Sequence, residues 1–288
     1  MSIWLILAAT VALFVVTGIV AFAYVGWRMS RPPKGWVEDV LERGHAEGRL
    51  LVCMGDSITR GRIGADWVES VRRRFDGKGW TVVNAGVNGE VVWNLRQRLD
   101  PIRALRPDAV VLLVGTNDCM AADLPQRAAA YRKGNGLPRV PDLDWSREQL
   151  QALLGEIRGL SPEDGAPALA ICTIPPLGGH ADASGEVVVR RWNEAVSELA
   201  GGADADLLDL HGALWPTAQR GGQPYEGGLA TISARMLGAG AGKYVAARSW
   251  DAIGRRGGWG ATVDSVHLDD TSAGIVQTLV GDWLDRLG

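Results

Sequence analysis

A serine at the end of an apolar run is placed to do chemistry. Leu50, Leu51, Val52, Cys53 and Met54 run straight into Gly55-Asp56-Ser57. A continuous apolar run of this kind predicts a strand buried on both faces of a parallel sheet. Gly55 then lets the backbone turn at the strand's carboxyl end, where open α/β sheets place their ligands. Alone, Gly-Asp-Ser supports two roles about equally: a nucleophile facing the crevice, or a cap on the next helix. The second chemical candidate is Asp264-Ser265-Val266-His267. A three-residue offset lets both side chains point the same way. The aspartate can fix the imidazole tautomer while the other ring nitrogen takes a serine proton. Chance produces Asp-x-x-His often, but its place just before the closing helix gives it weight. Together with two further segments, Asn84 to Gly89 and Gly115 to Asp118, these two predict a serine hydrolase.

Such residues need a frame. A short helix is expected over 36–47, with Trp36, Val40 and Leu41 on one face. Trp67, Val68, Val71 and Phe75 recur at helical spacing, and Gly77 and Gly79 end that helix. A strand over 80–83 leads into Asn84-Ala85-Gly86-Val87-Asn88-Gly89, and a helix carrying Val92, Leu95 and Leu99 follows. Residues 109–114 read as a third strand, ending in Gly115-Thr116-Asn117-Asp118. Residues 121–145 contain three prolines and are expected to form a polar surface excursion. Ser146 with Gln149 forms a capping box before the stripe Leu150, Leu153, Leu154 and Ile157. Strand four covers 168–173, and the next helix buries Val188, Trp192, Ala195, Val196 and Leu199. A short fifth strand covers 206–210, and the last helix starts at Ser272. Strands alternating with helices imply right-handed crossovers and a five-stranded parallel sheet with helices on both faces. Ser57, Gly89 and Asn117 then follow the carboxyl ends of the first, second and third strands.

At this point the residues resemble a known family. Gly55-Asp56-Ser57-Ile58-Thr59, Asn84 to Gly89, Gly115-Thr116-Asn117-Asp118 and Asp264 to His267 look like the four blocks of the SGNH (GDSL-like) hydrolases, in the family's order. The similarity covers roughly residues 49–288. It implies a three-layer, flavodoxin-like α/β sandwich and an esterase, lipase, thioesterase or carbohydrate deacetylase. Carried over by motif, Ser57 is the nucleophile, His267 the general base and Asp264 its partner. Gly89 and Asn117 supply oxyanion-hole donors beside the Ser57 amide, each such donor being worth ~10²–10³ in rate. No Gly-x-Ser-x-Gly elbow surrounds Ser57, which argues against the α/β-hydrolase fold. The substrate implied is a small-molecule, lipid or carbohydrate ester, and no step calls for a metal or an organic cofactor. Two alternatives stay open: an acyltransferase on the same scaffold, and a non-catalytic, membrane-tethered binding module. One departure stands out: Asp264 lies 55 positions after Asp209, longer than the usual family connection. This insertion, about 212–262, carries Leu229, Ile232, Met236, Leu237, Tyr244, Val245 and Trp250 and is expected to form a pocket wall or lid.

The amino-terminal segment is a separate matter. Residues 3–25 are 23 residues without a charge, about 34 Å as a helix and enough to cross a bilayer. Arg28, Arg31 and Lys34 follow, and Pro32-Pro33 prevents continuation. A cleaved signal is the competing reading, with Ala21-Phe22-Ala23 as a cleavage site, but no lysine or arginine precedes the stretch. A retained single-pass anchor over 1–27 is expected, then a juxtamembrane segment and short helix over 28–48, then the hydrolase domain over 49–288. The positive-inside rule puts that domain in the cytoplasm. The anchor is expected to tether the domain without joining its core.

The remaining candidates carry blander readings. With 288 residues and a net charge of -3, the chain shows no basic stripe for nucleic acid. Cys53, Cys119 and Cys172 read as free thiols. His211 is expected to be structural or at the surface, His180 to lie in a loop that could border the pocket, and His45 to lie on a solvated helix face. Asp209, His211, Asp264 and His267 lack metal-ligand spacing. Asp56 and Asp118 are expected to bond turn backbones.

Overall fold

The computed structural model describes the chain apart from residues 1, 2, 45–47, 161–164, 179, 181, 182, 222, 224, 226 and 227, so His45 lies outside the described residues. The chain enters through two helices, α1 (Ile3–Ser30) and α2 (Val37–Arg43). Strand β1 (Arg49–Gly55) follows, then α3 (Ser57–Arg60) and α4 (Trp67–Arg74). Strand β2 (Trp80–Gly86) leads through α5 (Val92–Gln97) and α6 (Leu99–Leu105) to β3 (Ala109–Leu113). Next come α7 (Thr116–Asp123), α8 (Pro125–Gly134), α9 (Leu143–Arg158) and β4 (Ala168–Cys172). Helix α10 (Ser184–Gly202) returns the chain to β5 (Asp206–Leu208). Four helices close it: α11 (Leu210–Gly221), α12 (Leu229–Tyr244), α13 (Trp250–Gly257) and α14 (Asp270–Leu287).

All neighbouring strands pair in parallel, in the order β2-β1-β3-β4-β5. This is the flavodoxin-like doubly wound order, whose switch point lies between β1 and β3. Leu51, Val52 and Cys53 of β1 are wholly buried, as strands covered on both faces must be. Helices α4 and α14 pack together, while α5, α9 and α10 pack in series. Right-handed crossovers put those two groups on opposite faces of the sheet. All three cysteines are buried and unpaired.

Several boundaries differ from the expectations, each for a local reason. The span 121–145 is not a polar excursion, because it holds the end of α7, all of α8 and the start of α9. Pro125 stands at the start of α8, where a missing N–H costs nothing, and alanines follow it. Ser146 and Gln149 do not cap α9. The Asp142 carboxylate accepts from Trp145 N at 2.8 Å, so the helix starts three residues before Ser146. Asp269 likewise caps α14 through Ser272 N, so that helix starts at Asp270, two residues before the expected Ser272. The fifth strand stops at Leu208 because α11 begins at Leu210.

Helix α1 is 28 residues long, about 42 Å, and over Leu7–Ser30 is apolar enough to cross a membrane. Its end is not a free tether. Val25 and Met29 are buried in a small cluster with Ile63, against Met236, Leu237 and Tyr244. The approach is close because α12 carries Gly240 there: a Cβ at that position would lie 2.8 Å from Val25 Cγ1.

Candidate active site

Ser57 is the first residue of α3, directly after the carboxyl end of β1. Gly55 makes that turn possible, since a Cβ there would meet Leu113 O and Thr59 Oγ1 at 2.2 Å. Asp56 caps α3, its Oδ1 accepting from Ile58 N at 2.9 Å. That bond answers the two readings of the sequence: the cap is the aspartate, and the serine hydroxyl is left to point elsewhere. Ser57 Oγ lies 2.8 Å from His267 Nε2, although the two residues are 210 positions apart.

His267 is held from behind. Its Nδ1 lies 2.8 Å from Asp264 Oδ2, and Asp264 Oδ1 accepts from His267 N at 2.9 Å and Val266 N at 3.1 Å. The loop is tight enough to hold Ser265 at φ 86°, a strained value for a residue with a side chain. A backbone bond from Val263 N to His267 O closes its base. Asp264 and His267 are almost fully buried, so water does not compete for the bond between them.

Gly89 and Asn117, the residues expected to supply donors, line the same cavity as Ser57. Gly89 has φ +77°, which glycine adopts without strain, and its residue lines the cavity beside Ser57. Asn117 is in the first turn of α7, after β3. Its Nδ2 donates to Glu90 O at 2.9 Å and to Asp56 Oδ2 at 3.2 Å, while its Oδ1 accepts from Tyr131 Oη at 2.8 Å. The structure thus brings Ser57, Gly89, Asn117 and His267 to one cavity, with Asp264 bonded behind His267. Asn117 reaches it already bonded, its longer bond being the one to Asp56.

That cavity has a volume of about 230 Å³ and an apolar lining that includes Ile63, Met120, Ile232 and Met236. Ile232 and Met236 come from α12, so part of the long connection before Asp264 is a pocket wall. Tyr131 comes from α8 and was missed at the sequence level, because residues 121–145 read as polar loop. The signal for it was a single aromatic within the polar and alanine-rich run 125–136. Asp118 accepts from Val92 N at 3.2 Å and ties α7 to α5.

The other described histidines, His180 and His211, are elsewhere. His211 Nε2 lies 2.7 Å from the buried Glu186, and its ring stacks on Trp215. Asp209 accepts from Thr173 Oγ1 and Gly212 N. Neither joins Asp264 and His267. His180 is exposed and does not line the cavity.

With this geometry in place, the family profile is decisive: that of the GDSL-like Lipase/Acylhydrolase family matches residues 53–231. The chain belongs to the GDSL-like lipase/acylhydrolase family. It is therefore an ester hydrolase of the SGNH type. Solved structures agree on the fold. The acetyl xylan esterase AlAXEase is 18% identical with a TM-score of 0.54, covering 82% of this chain and 99% of its own. The acetylxylan esterase Axe2 from Geobacillus stearothermophilus is 19% identical with a TM-score of 0.54, covering 82% of this chain and 93% of its own. A lipase/acylhydrolase from Enterococcus faecalis is 18% identical, with a TM-score of 0.51 and coverage of 82% and 95%. No curated protein sequence matches the chain.

Burial sets the charge states of this GDSL-family site. It pushes the Asp56 carboxyl up to about 7, with Asp118 and Glu90 adding to the rise. Burial alone would lower His267, but the Asp264 charge and hydrogen bond, with Asp56 behind them, hold it above its ordinary value. Burial also pushes the Tyr131 hydroxyl up, so it stays a donor toward Asn117.

Proposed function

We propose that this GDSL-family hydrolase is a membrane-anchored esterase for short acyl groups, working through an acyl-enzyme on Ser57. The observation that carries the reading is the unbroken chain from Ser57 Oγ through His267 to Asp264, with 2.8 Å at both ring nitrogens. His267 takes the Ser57 proton as Oγ attacks the acyl carbon. It returns that proton to the departing alcohol, and then activates the water that releases the acid. Asp264 orients the ring and stabilises the imidazolium. The developing oxyanion is met by the amides of Ser57 and Gly89 and by the Asn117 side chain. The Asn117 donor exchanges its longer, 3.2 Å bond to Asp56 for the oxyanion.

A cavity of about 230 Å³ lies below the range of about 300–1,000 Å³ typical of drug-sized ligands, which supports a short acyl group. The acetyl specificity named for the xylan esterases points the same way. Residues 49–288 form the hydrolase domain and α1 is a retained anchor, with Arg28, Arg31 and Lys34 keeping that domain on the cytoplasmic side. The burial of Val25 and Met29 against α12 holds the carboxyl end of α1 on the domain.

The test is Ser57→Ala in the full chain. It keeps the fold, as read by circular dichroism, and removes fluorophosphonate labelling and nearly all hydrolysis of acetyl esters. Labelling retained in the folded variant assigns the nucleophile to another residue. Protease added to intact cells leaves the domain whole if the orientation is right, and digests it if the orientation is reversed.

A further inference from the structure

Helix α1 builds more than a tether. Between it and the α12–α13 pair lies a second cavity, a groove of about 640 Å³. Phe22 and Val25 line it from one side, Leu237, Ala241 and Ile253 from the other, and Arg248 and Arg256 stand in the same lining. Both arginines are exposed, and neither guanidinium pairs with a carboxylate among the described residues. An apolar groove with two unmatched cations fits an anion that carries its own hydrocarbon.

The surroundings say where such an anion comes from. One wall is the helix apolar enough to cross a bilayer, with Phe22 63% exposed on it. Arg31 stacks over Trp27, Arg28 over Tyr24 and Tyr244, and Lys243 over Trp250. Rings and cations gathered at one end of an apolar helix form the belt found where a bilayer meets water. We propose that the groove is a binding site for an anionic phospholipid, its acyl chains along α1 and its phosphate on Arg248 and Arg256. The proposal rests on α1 being a retained anchor.

The site reaches the catalytic cavity through one helix. Met236 packs with Val25, Met29 and Ile63, and Met236 and Ile63 also line the cavity at Ser57. The next residue, Leu237, faces the groove. A lipid seated there braces the wall of the acyl pocket.

The experiment uses the full chain in nanodiscs of phosphatidylcholine with or without phosphatidylglycerol, read by native mass spectrometry. Phosphatidylglycerol is expected to be retained in preference to phosphatidylcholine. Arg248→Gln with Arg256→Gln weakens that retention about thirtyfold, near fivefold for each cation. Ala241→Trp fills the groove and removes bound lipid of either kind. Ser57→Ala keeps its lipid, and the arginine variant keeps its fluorophosphonate labelling, so this site and the hydrolase reading fail separately. Intact mass shows whether α1 is present: a chain cleaved before Tyr24 overturns both anchor and groove. Equal retention of the two lipids by the intact chain, an unchanged arginine variant, or a second copy covering the groove overturns the lipid site alone.

Discussion

Two buried acids, one on each side, set the proton chemistry of Ser57. Asp264 bonds to His267 and Asp56 acts on it through space, and both raise its affinity for a proton. In the proposed mechanism His267 works as a base only when neutral, so kcat/KM is expected to fall as the pH drops through its raised pKa, with the acid limb above 6.5, the ordinary value of the group. Asp56→Asn removes one of the two charges and moves that limb to lower pH. A limb unmoved or moved up in the pH profile would exclude the coupling. Asp56 itself titrates near 7, so the limb belongs to the pair rather than to one residue. Removing His267 is expected to hurt more than removing Asp264, both losing at least ~10²-fold in turnover. Tyr131→Phe takes the 2.8 Å bond from Asn117 and leaves its carbonyl oxygen without that donor. A loss of about 1–2 kcal/mol, near tenfold in kcat with KM little changed, is expected by steady-state kinetics, and an unchanged kcat makes Tyr131 a packing residue only. Ser57, Gly89 and Asn117 were legible as positions that follow apolar runs and glycine turns, and Asp264 and His267 by their spacing just before the last helix, while the roles expected of Gly89 and Asn117 came through the resemblance to the SGNH hydrolases. Tyr131 was not legible, since its role depends on how α8 folds back onto α7, a tertiary contact that no local pattern records.

At the scale of elements, the sheet was legible and the connections less so. Strands covered on both faces are apolar throughout, and β1, β3 and β4 announce themselves. Helix starts hang on single side chains: Asp142 outcompetes Ser146 because it precedes the turn that its carboxylate closes. Helix α12 is the element that does most with least sequence signal. Its Gly238-Ala239-Gly240-Ala241-Gly242 run is a poor helix former on propensity. Packing against α1 stabilises it instead, as close approach requires small residues. Gly240→Val tests this directly, because a Cβ already meets Val25 Cγ1 at 2.8 Å and Met29 Sδ at 2.9 Å. The wedge should separate the helices and speed amide hydrogen exchange over residues 24–30, while fluorophosphonate labelling of Ser57 persists. Unchanged exchange there would mean that the two helices do not depend on each other.

For the whole molecule, the question is whether the catalytic unit is independent of α1. A tether alone would leave the hydrolase indifferent to its removal. The contacts argue otherwise: Arg60 donates to Ser30 O at 2.8 Å, Arg62 donates to Pro32 O at 2.6 Å, and Tyr244 Oη donates to Arg62 O at 2.7 Å. Arg60 belongs to the helix that carries Ser57, and Ile63, close behind it, lines the cavity. The α/β core does not share this dependence, because Val25 and Met29 form their own cluster apart from it. Deleting residues 1–34 should therefore leave a folded domain. The cut spares Gly35 and Trp36, which pair with Asn84 at the end of β2 and hold the chain to the sheet. The shortened enzyme should still label at Ser57. Its Ile63 and Met236 are newly exposed, so the pocket wall loosens and KM for a short ester rises several-fold, with kcat less affected. Hydrolysis of one acetyl ester by the full chain in detergent and by the 35–288 chain measures the difference. Identical constants would return α1 to the role of a tether, and loss of labelling would show that the domain needs the helix in order to fold.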